Sequence, residues 1–327
     1  MGSWKASAPF GPPRYGHSSV AYNGYLYVLG GWSGSAFLND VQYAAFNGDG
    51  SLTTWFTTTS FSVPRWGQTA VAYGGYIYVL GGHNGSDLSD VQFAAVNAEG
   101  KVGDWTTTLS FDEPRYGHAS VAYNGYLYVL GGIKAGVYLK DVQYTALNAN
   151  GTVAGWKYAE PFFNERCMHT SVAANGILYV LGGTNTAALN DVQFAHVNGK
   201  GRLDGWNPAN PLPLPLAGQG MVVYNGYLYS TGGQTTGHVD VTDVLFAPLY
   251  PDGSVGTWTS TTSFTTARDG HATVAYDGYI YVIAGETAGA TSLSDVQYAR
   301  IYPDGTVGTW YASTPLATSR WCPSAVV

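Results

Sequence analysis

Tryptophan stands at positions 4, 55, 105, 156, 206, 258 and 310, so successive copies lie 50–52 residues apart along the whole chain. A period of that length marks a repeat architecture, in which each unit is a small supersecondary structure that covers its faces only by packing on its neighbours. Other residues keep the same register. Ten positions after each tryptophan comes Arg14, Arg65, Arg115, Arg166, Leu216, Arg268 or Arg320, leucine being the exception. A tyrosine-rich run then ends in paired glycines: Gly30-Gly31, Gly81-Gly82, Gly131-Gly132, Gly182-Gly183 and Gly232-Gly233, with Ala284-Gly285 in the sixth copy. Further on stands an aspartate, namely Asp40, Asp90, Asp141, Asp191, Asp243 or Asp295.

Within the first copy, Ser18 to Tyr22 and Tyr25 to Leu29 read as strands joined by Asn23-Gly24, a two-residue hairpin signal because both turn positions need positive φ. A third run from Val41 to Ala45 reaches a fourth near Leu52 to Thr57 through Gly48-Asp49-Gly50. Each repeat is therefore expected to be a four-stranded antiparallel meander. In Tyr25-Leu26-Tyr27-Val28-Leu29 both alternating faces are large and apolar, so each sheet must be covered on both sides. Sheets packed face to face around an axis meet that demand.

The fifty-residue period, the double glycine, the downstream aromatic and the spaced tryptophan together resemble the kelch-repeat β-propeller family over essentially the whole chain. The resemblance implies an all-β, six-bladed kelch-type propeller with four antiparallel strands per blade. It is expected as one domain over residues 1–327, with repeats at about 14–64, 65–114, 115–165, 166–215, 216–267 and 268–319. The ends overlap: Trp4 to Pro13 duplicates Trp310 to Ser319, and Arg320 to Val327 duplicates the first strand. One copy of each is surplus in a six-bladed ring, so 1–13 and 320–327 are alternative closing strands or an edge for pairing with a second molecule. A monomer is expected, with strand-mediated self-association open to it.

Composition narrows the partners. Net charge is -7 with 14 basic and 21 acidic side chains, which supplies no basic field for a phosphate backbone, so nucleic acid is not an expected partner. No apolar run has the length of a membrane span. Two cysteines, Cys167 and Cys322, make neither a disulfide framework nor a complete structural zinc site, and no cofactor is expected. A lysine-poor chain rich in Tyr, Thr, Ser and Gly leans towards a secreted or cell-surface location.

Antiparallel alternation places the tight Asn-Gly and Gly-Asp-Gly turns at one end of a blade. The loop after the double glycine and the segment from Trp to Arg then share the other end. These vary between copies, so function is expected there. The resemblance implies the same face, since kelch proteins bind partners or small ligands around that mouth. Two rings of variable residues fall on it: Tyr15, Trp66, Tyr116, Cys167, Ala217, Asp269 and Trp321 after the arginine position, and Trp32, His83, Ile133, Thr184, Gln234 and Glu286 after the double glycine. From these the candidate ligand-binding set is Tyr15, Trp32, Trp66, His83, Tyr116, Gln234, Asp269, Glu286 and Trp321. Aromatic faces beside a few polar groups suit a sugar ring or a partner's anchor side chain.

One arginine and one aspartate per repeat suggest a structural pair rather than an anion-binding ring. For blade five, with Leu216, His238 or Asp240 are considered as substitutes. His17, Gln68, His118, His169, Gln219 and His271 recur three residues past the arginine position and are expected to ring the channel as hydrogen-bonding groups, not to bind metal. No nucleophile elbow, phosphate loop or zinc-protease motif occurs, and the Tyr, His and Cys set of kelch-type galactose oxidases has no counterpart. The favoured function is a non-enzymatic module recognising a carbohydrate or protein segment at the mouth. Two alternatives stand beside it: an enzyme resembling kelch sugar mutarotases, with Asp269, Glu286 and His83 as its acid/base groups, and a self-assembling scaffold.

Overall fold

The computed structural model describes residues 14, 16–45, 53–276, 278–288, 291–293 and 295–312. Among them lie six four-stranded antiparallel sheets, each built from one repeat with its strands in chain order. The first comprises Ser18–Tyr22, Tyr25–Trp32, Phe37–Ala45 and Phe56–Thr58. The sheets are the blades of a six-bladed β-propeller, and no helix occurs among the described residues. No described helix is therefore long and apolar enough to cross a membrane. The surplus end segments, 1–13 and 320–327, lie outside the described residues.

Asn23 and Gly24 both take positive φ, 49° and 81°, so Tyr22 pairs directly with Tyr25 and the hairpin twists with its strands. The first strand of each blade is innermost, because neighbouring first strands meet at a chain of backbone bonds. Gly67 N–H donates to Gly16, Gly117 to Gly67, Met168 to Gly117, Gly218 to Met168 and Gly270 to Gly218.

The repeated residues mostly tie one blade to the next. Trp105, Trp156, Trp206, Trp258 and Trp310 each donate an indole N–H to a carbonyl of the preceding blade, on Thr59, Leu109, Glu160, Asn210 and Thr262. Tyr27 and Tyr128 donate their buried hydroxyls to Gly100 and Gly201 of the following blade's tight turn, at 2.8 and 2.7 Å. Both faces of the tyrosine-rich strand are thus covered, one by apolar packing and the other by rings whose hydroxyls find a carbonyl.

Arg14, Arg65, Arg115, Arg166 and Arg268 are buried and paired with Asp40, Asp90, Asp141, Asp191 and Asp295. Each also donates to the carbonyl of the first residue of the double-glycine pair, as Arg115 does to Gly131 at 2.8 Å. The arginines are therefore structural. Blade five carries Leu216 and Leu245 where the others carry arginine and glutamine; both leucines are buried and Asp243 is exposed. His238 and Asp240 do not substitute for the arginine; both bond to Gln234 instead.

His118 and His271 serve as hydrogen-bonding groups, as expected, and do so at the seams between blades. His118 is buried at the seam with the preceding blade, its Nε2 2.9 Å from Thr69 Oγ1, and His271 makes the same contact with Thr231. Burial, aided by Arg115 and Arg268, pushes the pKa values of His118 and His271 down to about 3, so both stay neutral at ordinary pH. They wedge between blades rather than facing an open channel, because the ring fills the space that the preceding blade's glycine leaves.

Candidate functional site

At the loop-bearing end, the two rings of variable residues pair one to one. Short antiparallel bridges join Trp66 to His83, Tyr116 to Ile133, Cys167 to Thr184, Ala217 to Gln234 and Asp269 to Glu286. Each bridge exists because the residue after the arginine runs alongside the residue after the double glycine of the same blade. The side chain then lies over the mouth glycine of the preceding blade: Trp66 over Gly16, Tyr116 over Gly67, Cys167 over Gly117 and Asp269 over Gly218. Glycine suits these positions because its φ is 60–64°, and at Gly16 a Cβ would also come within 2.9 Å of the Trp66 ring.

Met168 breaks the pattern. It is the one non-glycine at this position among the described blades, adopts φ 51° and is 40% exposed. The residue at the overlying position in the next blade is Ala217, the smallest of its ring. The left-handed conformation costs a side-chain-bearing residue about 1 kcal/mol, and Met168 places a flexible thioether at the mouth in exchange.

On blades one to three the rings converge. The ring centroids of Trp66 and Tyr116 are 5.5 Å apart, those of Trp66 and His83 6.2 Å, and those of His83 and Tyr116 5.3 Å. Phe37 joins them, 6.4 Å from His83 and edge-on to Trp32 at 4.6 Å. His83 Nδ1 lies 2.7 Å from Asp87 Oδ1, and Asp87 Oδ2 accepts the backbone N–H of Ala135 from blade three, also at 2.7 Å. The carboxylate fixes the imidazole's orientation and ties two loops together. All of these aromatic side chains are half-buried.

Blades five and six supply carboxylates. Asp269 and Glu286 are joined through reciprocal backbone bonds of 3.1 and 3.0 Å. Burial chiefly, then the charges of Asp240 and Glu286, hold the Asp269 carboxyl far above its ordinary range, at about 7. Burial and Asp240 also raise Glu286. Gln234 donates to Asp240 at 3.0 Å and contacts His238 Nδ1 at 2.9 Å.

Of the sequence-predicted residues, Trp32, Trp66, His83 and Tyr116 fall in the aromatic cluster, and Gln234, Asp269 and Glu286 in the acidic one. Tyr15 and Trp321 lie outside the described residues. Phe37, Asp87, Met168 and Asp240 were not in the predicted set. Phe37 and Asp87 sit directly across the hairpin from Trp32 and His83, so a register drawn through each loop would have found them.

The family model described as the KLHDC2/KLHL20/DRC7 Kelch-repeats domain matches residues 49–233, more than half of the chain. The chain belongs to the kelch-repeat family. A single kelch motif also matches residues 13–43 of this kelch chain. It is similar to an F-box/kelch-repeat protein of Arabidopsis thaliana, 33% identical over 86 residues, a match covering 26% of this chain and 22% of that relative. The chain shares its fold with the solved structure of YjhT, with a TM-score of 0.73 at 17% identity, covering 93% of this chain and 99% of that one.

Proposed function

We propose that this kelch propeller is a binding module whose loop-bearing mouth recognises a carbohydrate or a protein segment. The convergence of Trp66, His83 and Tyr116, with ring centroids 5.3–6.2 Å apart and their side chains half-buried, carries the reading. Such faces give a sugar ring or an anchor side chain a large contact area at little cost in side-chain entropy. A thermal-shift screen of sugars, acidic sugars and short peptides tests it. A compound at about a hundred times its Kd should stabilise the protein by about 2.7 kcal/mol, and Trp66→Ala should abolish that shift. No shift with any compound, or an equal shift in the variant, overturns the reading.

One observation favours a second reading. A carboxyl held at about 7 beside another carboxyl has the proton affinity of a general acid/base near neutrality. In an enzyme similar to the kelch mutarotases, Asp269 would move the anomeric hydroxyl proton while Glu286 and His83 orient the sugar. Polarimetric equilibration of free sugars should then be accelerated by the protein and lose at least a hundredfold in Asp269→Asn. Rates equal to buffer alone dismiss it.

A further inference from the structure

Blade five departs from the other described blades in a way that bears on ligand charge. Its loop between the second and third strands turns Asp240 inward until the residue is 8% exposed. Oδ1 accepts the Gln234 amide at 3.0 Å, whereas Oδ2 is buried with no hydrogen-bond partner among the described residues. Buried carboxylate oxygens are normally paired, because an orphaned one loses its hydration with nothing in return. Asp240 is bridged to Gln234 and Gln234 to Ala217, and Asp269 Oδ2 reaches to 3.2 Å from the point where a Cβ on the next residue, Gly218, would stand. Glu286 is bridged to Asp269.

No described ion pair involves any of the three carboxylates. Arg268, the arginine nearest in sequence, is buried and spent on Asp295 and the Ala284 carbonyl. Beyond burial, the charge of Asp240 raises the proton affinity of both Asp269 and Glu286, and Glu286 adds to that of Asp269, which is what neighbouring charges without a counter-charge do. Among the described residues no set of three acidic, His or Cys side chains converges tightly enough for a metal ion. A larger cation, approached from several sides, fits the arrangement better.

We propose that the mouth selects ligands bearing a primary ammonium or guanidinium group, held by Asp240, Asp269 and Glu286 while the aromatic cluster takes the neighbouring apolar part. This rests on the binding reading and assigns that site its charge preference. The orphaned oxygen of Asp240 gains a charge-assisted donor when such a ligand enters, and the chain's net charge of -7 favours its approach.

The full chain is titrated calorimetrically at about pH 8, where Asp269 is ionised, with two matched pairs. Acetyl-arginine amide and acetyl-citrulline amide stand for a protein segment; 6-amino-6-deoxyglucose and glucose stand for a sugar. The cationic member of one pair should bind at least tenfold more tightly than its neutral twin, and which pair shows this separates the two sources. Asp240→Asn should reduce that ratio at least threefold. Glu286→Gln, at a half-buried site, should do the same and keeps the test valid if the Asp240 variant does not fold. Equal binding of the twins overturns the charge preference and leaves the binding reading standing. Binding of none of the four overturns the proposal, while the wider screen with Trp66→Ala judges the mouth itself.

Discussion

Arg115→Ala should destabilise the protein by about 3–5 kcal/mol, as expected when one member of a buried pair is removed. The guanidinium donates Nε to Glu113 O at 2.9 Å, one terminal nitrogen to Gly131 O and Asp141 Oδ1 at 2.8 Å each, and the other to Asp141 Oδ2 at 2.6 Å. It also lies 5.7 Å from the Phe111 ring centroid. Truncation leaves two carbonyls without these donors, a carboxylate without its counter-charge and a void beneath the ring. Asp141 keeps 22% of its side chain in solvent and can partly rehydrate, which pulls the effect towards the lower figure. At about 2 °C per kcal/mol for a chain this large, the melting temperature should fall by roughly 6–10 °C. A shift within one degree of wild type would refute the buried-pair account.

Blade five supplies the control, because it already lives without the pair. Leu216 and Leu245 stand where arginine and glutamine stand elsewhere, and its aspartate turns to solvent. In blade three Gln143 donates to Asp141 at 2.9 Å and accepts the Asp112 N–H, so arginine, aspartate and glutamine form one network. Replacing both Arg115 and Gln143 by leucine should therefore recover at least half of the alanine loss. Buried ion pairs exchanged for well-packed apolar groups are often neutral, whereas half-broken ones are not.

What could be read from the chain follows from this repetition. The Asn-Gly turns, the spaced tryptophans and the Arg–Asp pairs are patterns printed four to seven times, so each copy reinforced the others and the fold class with them. The histidines were legible as hydrogen-bonding groups but not their partners, because a period of fifty says nothing about which way a ring turns about the axis. His118 bonds to Thr69 across the seam, a partner that only the neighbouring blade supplies. The mouth was legible where its residues occupy repeat positions, as Trp66 and Asp269 do. Asp240 and Asp87 occur once each, in loops of differing length, and their place at the mouth becomes visible only when the bridges to Gln234 and His83 are drawn. Met168 was hidden for a different reason: its neighbours are glycines, and only the φ of 51° shows that it is held in their conformation.

Gly131→Ala should cost about 2–4 kcal/mol, and its partner variant Gly125→Ala about 1 kcal/mol. Both glycines have positive φ, 53° and 80°, so each substitution carries the conformational penalty of a left-handed residue, about 1 kcal/mol. Their surroundings separate them. A Cβ at Gly125 meets nothing within 4 Å, whereas one at Gly131 meets Arg166 O at 2.8 Å and His169 Cε1 at 2.9 Å from blade four, and Phe162 Cζ at 2.9 Å from the segment leading into it. Two of those atoms belong to buried rings and the third to backbone, so the blade itself must move, which adds an overpacking cost of about 1–3 kcal/mol. The second glycine of each pair works within its own blade: at Gly132 the obstructing atoms are Tyr116 O and His118 Cβ. Ala284 shows where the rule relaxes. It holds φ 54° in blade six at the position of Gly131, while the following Gly285, pressed against Asp269 O, is kept. Thermal melts of the two variants side by side decide the point. If Gly131→Ala and Gly125→Ala fall by the same amount, the first glycine is required only for its backbone angle and the close approach of neighbouring blades sets no limit on its side chain.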